Sequence, residues 1–165
     1  MTSNRKKWKL QGNTEDGDMM ILGDRATITP LPDKTLISIT YSKNANILQG
    51  VLSVLFQFLF IIPNMSKNDG LLYAELIVDM KTRDGLTISV WKDKALVPFR
   101  DKGSHGFAIR KLGWVLTGFN MTSHFLSIRP IDGQIPTPPQ AKTLAEGHGK
   151  TYHKGKVIRS ASRIH

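Results

Sequence analysis

Between Ile47 and Ile62 the chain runs ILQGVLSVLFQFLFII, 16 residues without a charge. A run this apolar needs a cover, whether a bilayer or a protein core, and that need limits what the rest of the chain can build. It is shorter than the roughly 20 residues of a membrane-crossing helix. Gln49, Ser53 and Gln57 recur at every fourth position, so on a helix they form one stripe. Leu48, Val51, Leu52, Leu55, Phe58 and Leu59 then cover most of the remaining surface. The spacing predicts a helix laid on a sheet, with the polar stripe in water and Pro63 as its stop. A membrane segment is the alternative.

The sheet is expected from four strand-like runs: Thr35 to Tyr41, Leu71 to Met80, Leu86 to Trp91 and Thr122 to Arg129. Ile37, Ile39 and Tyr41 alternate onto one face. Leu72, Ala74, Leu76 and Val78 alternate with Tyr73, Glu75, Ile77 and Asp79, and the link TRDG, with Asp84-Gly85, reads as a hairpin turn. A second helix is predicted over Ser104 to Leu116 and a short last one over Pro138 to Glu146. Met19 to Leu22 and Ala26 to Thr29 read as a small hairpin around Gly23-Asp24. The order strand, helix, strand, strand, helix, strand gives an α+β fold, a ferredoxin-like antiparallel sheet with its helices on one face. The bare face then requires a partner, in the first instance a second copy of the chain.

The net charge of +10 is unevenly placed. Arg5, Lys6, Lys7 and Lys9 supply +4, and Lys150, Lys154, Lys156, Arg159 and Arg163 supply +5, which leaves +1 for residues 10 to 149. The expected organisation is therefore a basic lead at 1–18, one domain at 19–147 and a basic tail at 148–165. Such ends serve as solvated, solubilising termini, or they attract phosphate or anionic lipid, with nucleic acid or an anionic membrane as the partner. There is no cysteine, which excludes disulfides, thiolate metal sites and a cysteine nucleophile. Polar and acidic residues from Gln11 to Asp18 stand where a secretory signal has its apolar core, so a cytoplasmic location is expected.

The strand LTISVW, then Phe99, then SHGFAIRK from Ser104, and finally FLSIRPIDGQIPT resemble the dimeric α+β barrel superfamily. The similarity is to its antibiotic-biosynthesis monooxygenase-like and spheroidene monooxygenase-like branches and a related uncharacterised family. It covers residues 71 to 135, whereas the first half of the chain agrees in element order alone. The resemblance implies a homodimer whose two sheets enclose a pocket, with relatives that oxidise aromatic compounds, bind or degrade haem, or oxygenate a carotenoid.

On that reading His105 is the catalytic candidate, as a haem-iron ligand or an acid/base group; its other use is to cap a helix. Relatives that degrade haem carry their histidine several residues later in this helix. Trp91, Phe99 and His124 are the pocket candidates, although Trp91, Phe99 and Trp114 serve equally as core. Glu75 and Asp79 share a strand face, as an acid/base pair or as surface charge. His148 and His153 lack the spacing of a metal site, and no phosphate loop, dinucleotide fingerprint or nucleophile elbow occurs. Two functions follow as expectations. One is a small-ligand protein, in the manner of a monooxygenase acting on an apolar or aromatic substrate, with haem as its candidate cofactor. The other is a non-enzymatic homodimer whose basic ends contact an anionic partner.

Overall fold

The computed structural model describes residues 8–14, 17–101, 121–154 and 156–162. Among them is one antiparallel sheet of eight strands: Trp8–Thr14 (β1), Gly17–Leu22 (β2), Thr35–Lys43 (β3), Leu71–Asp79 (β4), Asp84–Lys92 (β5), Thr122–Ile128 (β6), Lys150–His153 (β7) and Lys156–Arg159 (β8). Their spatial order is β1-β2-β4-β5-β3-β6-β7-β8. Strand β3 is central because Ile37, Ile39 and Tyr41 are buried between two neighbours, opposite Val90, Ile88 and Leu86 of β5 and Ile128, Leu126 and His124 of β6. The described helices are Arg25–Ile28 (α1), Ile47–Phe56 (α2), Ile62–Ser66 (α3), Leu96–Asp101 (α4) and Pro138–His148 (α5), with a π-helical segment Gln57–Ile61 joining α2 to α3. The expected helix over Ser104 to Leu116 lies outside the described residues.

The two sheet faces differ in chemistry. On the first, Ile37, Ile39, Leu86, Ile88 and Val90 meet Ala141 and Ala145 of α5 in one core cluster. On the second, Ser38, Thr40 and Ser42 lie opposite Ser89, Thr87 and Gly85. Here Ile61 and Met65 close over Leu22, Leu71, Ala74 and Trp91, with Leu96 of α4 beside them. Helices therefore cover both faces. The expectation of helices on one face fails because α5 carries two alanines small enough to seat it closely against the first.

Three local expectations also change. Ala26 to Thr29 is not a strand: Asp24 caps α1, its carboxylate accepting from the Ala26 N–H, and β2 pairs with β1 and β4 instead. The β4–β5 turn is Met80 to Arg83, with Arg83 at φ 64°, while Asp84 and Gly85 already belong to β5. Parts of the expected basic lead and tail are strands, so the sheet runs past both expected domain edges.

Candidate functional site

The polar stripe of α2 faces the sheet and the apolar side faces out, the reverse of the expected arrangement. Asn46 caps α2, its side chain accepting from the Gln49 N–H at 2.9 Å, and Gln49 Oε1 in turn accepts from the Ala45 N–H at 2.8 Å. Ser53 donates to Asn44 Oδ1 at 2.9 Å, and Asn44 in turn donates to the Arg83 carbonyl at 2.9 Å. These bonds fasten the inward stripe to the end of β3 and to the β4–β5 turn. Gln49 is consequently only 2% exposed, whereas Ile47 and Leu59 are each 66% exposed.

A stripe stepping by four residues drifts about 40° per step around a regular α-helix. The π-helical segment corrects this drift: its wider turn, closed by the Ile62 N–H on the Gln57 carbonyl, takes up an extra residue. Ile61 and Met65 thereby continue the inward line of Gln49, Ser53 and Gln57 and enter the core. Pro63 does not end the helix. It falls in the first turn after the π segment, and the chain stays helical to Ser66.

Between this stripe and the second sheet face is an open cleft with about 20 Å³ of room, enough for a water-sized group, whose polar lining is Ser42, Asn44, Ser53, Gln57, Asp79, Arg83 and Asp84. Gln57 Oε1 and, two turns earlier on the same stripe, Gln49 Nε2 are buried without a hydrogen-bond partner. Buried polar atoms are almost always paired, directly or through water. Of the two, only Gln57 lines the cleft, so its unmet acceptor marks the place suited to a polar guest.

Of the three sequence-predicted site residues that are described, Trp91 and Phe99 come together and His124 does not join them. Trp91 is 1% exposed on the second face. Its ring lies 4.5 Å from that of Phe99, and its Nε1 donates to Ser89 Oγ at 2.8 Å. Phe99 lies within α4 and packs against the same cluster. Both side chains are accounted for as core. His124 is on the opposite face, stacked on Tyr41 with ring centroids 5.8 Å apart and its Nδ1 2.9 Å from Thr151 Oγ1. Burial, with Arg159 nearby, holds its pKa below the ordinary value despite the opposing charge of Glu146. His105 and Trp114 lie outside the described residues.

Glu75, read as surface charge, is 3% exposed. Tyr73 donates to it at 2.7 Å, and the Arg25 guanidinium is 3.8 Å away. Burial and this carboxylate push the Tyr73 phenol well above its usual range. Asp79 is occupied elsewhere, accepting from the Lys81 and Thr82 N–H groups of the turn. His148 and His153 bond to Ser162 and Thr122 respectively. No group of three or more His, Cys, Asp or Glu able to hold a metal is found among the described residues. The sequence reading missed the Asn44, Ser53 and Arg83 network. Its signal was the run Asn44 to Gln49, where two asparagines precede a glutamine at the cap-to-third-turn-residue spacing.

Comparison of the chain with family models, with curated proteins and with solved structures found no match.

Proposed function

We propose that the chain is a ferredoxin-like binding domain that takes a small polar ligand between the helix running from Ile47 to Ser66 and the hydroxyl-bearing face of its sheet. The plan is supported by the strand order β4-β5-β3-β6, with a helix between β3 and β4 and a hairpin from β4 to β5. The same order supports the likeness to dimeric α+β barrels. A face-to-face dimer gains no support from the first sheet face, because α5 already occupies it. An aromatic-walled oxygenase pocket gains none from Trp91 and Phe99, which fill each other's space, or from His124 across the sheet.

One observation carries the reading: the unmet Gln57 Oε1, which lines the cleft on a helix face turned toward the sheet. A guest that donates a hydrogen bond, such as an amide, polyol or amino acid, satisfies Gln57 Oε1; Gln49 is not part of the cleft lining. With about 20 Å³ of room the cleft admits one small polar group of a guest, such as a hydroxyl or amide end, and the rest of the guest lies in its open mouth. Thermal melting against a panel of such compounds tests this. At least one is expected to raise the Tm of the native chain, and Gln57→Leu is expected to abolish that shift while keeping the fold. If no compound raises the Tm and Gln57→Leu itself stabilises the chain, the unmet atom is a packing defect and the reading fails.

A further inference from the structure

The outward side of the same helix carries Ile47, Leu48, Val51, Leu55, Phe58 and Leu59, all exposed, at spacings of one, three and four residues. This is one continuous apolar stripe, and leaving it in water is unfavourable. Taken with its continuation through Pro63, the helix Ile47–Ser66 is 20 residues, long and apolar enough to cross a membrane by length and composition. Its inner side is committed elsewhere. Gln49 and Ser53 are bonded to the loop before the helix, and Ile61 and Met65 are in the core. A helix held this way along its length offers one face and has no second face for lipid.

Lysines bracket it along the chain, with Asp33 and Asp69 as the nearest acids in sequence on either side. From Lys34 to Asn68 the chain contains Lys34, Lys43 and Lys67 and no Asp or Glu, and Lys43 and Lys67, both exposed, stand at the two ends of the helix. We infer that this face is a membrane-surface contact: the stripe lies in the interface of an anionic bilayer, with the lysines at its ends on lipid headgroups. Apolar burial and attraction to anionic lipid act together in such contacts. A second copy is the poorer occupant, because six side chains on one helix fall well short of the roughly 20–30 residues a side of a stable protein interface.

The full chain is sedimented with vesicles of phosphatidylcholine alone and with vesicles in which roughly a quarter is phosphatidylserine. Binding to the anionic vesicles is expected, weakening with salt, and falling roughly tenfold or more in Leu55→Glu/Leu59→Glu. Because the chain has no cysteine, Leu59→Cys can carry a polarity-sensitive dye. Its emission is expected to shift to the blue on anionic vesicles, a reading that does not depend on the glutamate variant folding. Binding that survives Leu55→Glu/Leu59→Glu with no dye response places the contact on the basic ends and overturns the inference. So does a failure to bind either vesicle, and so does a concentration-dependent dimer, abolished by Leu55→Glu/Leu59→Glu, in a chain that ignores vesicles.

Discussion

Tyr73 and Glu75 project from the same face of β4, and the bond between them lets a carboxylate sit inside the first core cluster. A buried carboxylate that loses a hydrogen-bond donor keeps its desolvation cost. Tyr73→Phe should therefore cost about 1–3 kcal/mol in urea unfolding, although it removes a single oxygen. His124 makes a pH prediction. Its folded-state pKa is depressed from 6.5, so the folded chain favours the neutral ring. The unfolded chain takes up the proton first as pH falls, so the contribution of His124 to stability is complete above 6.5 and fades below it. The imidazole midpoint read by NMR is expected under 6.5, and a midpoint above it would contradict the buried placement. At this scale residue types were legible but their grouping was not. Trp91 and His124 looked like two walls of one pocket, and which side of a strand each occupies was settled by the register of β3 against both neighbours.

The helix from Ile47 to Ser66 shows what periodicity leaves open. The stripe of Gln49, Ser53 and Gln57 was legible, and so was its helical period; its direction was not. Apolar residues usually turn inward, but here the opposing sheet face carries Ser38, Thr40, Ser42, Thr87 and Ser89, and the polar stripe is bonded at Asn44, Ala45 and Asn46. The sequence held a clue in the alternation of Ser38, Thr40 and Ser42 along β3. The inverted orientation predicts an inverted mutational profile. Leu55→Ser should change stability by no more than about 0.5 kcal/mol, as an exposed position does. Met65→Ala, behind the π-helical segment and in the core, should cost about 2–5 kcal/mol. Denaturant unfolding of the two variants decides it, since a conventionally packed helix gives the heavier loss at Leu55. Glycine is required at the junction of β1 and β2. At Gly17 φ is 119°, and an added Cβ would stand 2.6 Å from the Val78 carbonyl oxygen, so Gly17→Ala should loosen β2 from β4 and lower Tm.

The molecule is wider than its sequence suggested. The four inner strands β4, β5, β3 and β6 were legible because they are apolar on at least one face. Of the outer strands β2 was read in large part, as Met19 to Leu22, whereas β1, β7 and β8 were read as a lead and a tail because WKLQGNT and KVIR carry charge and little apolar alternation. Charged edge strands keep a sheet from pairing with other chains, so the feature that made them look irregular suits their position. The C-terminal pair is also fastened: Arg159 donates to the Gly149 carbonyl at 2.9 Å, at the end of α5, and Thr151 partners His124. Removing residues 150–165 should therefore lower stability by more than about 2 kcal/mol and broaden the thermal transition. An unchanged melting curve would return these residues to the status of a tail. The strand order also has a kinetic consequence. On one side Ile37 meets Val90, and on the other Ile128, so the middle of the sheet is assembled from partners distant along the chain. Non-local pairing of this kind slows folding. During synthesis β3 leaves the ribosome long before either neighbour exists, and for that interval Ile37 and Ile39 are open to whatever chaperone or nascent strand arrives first.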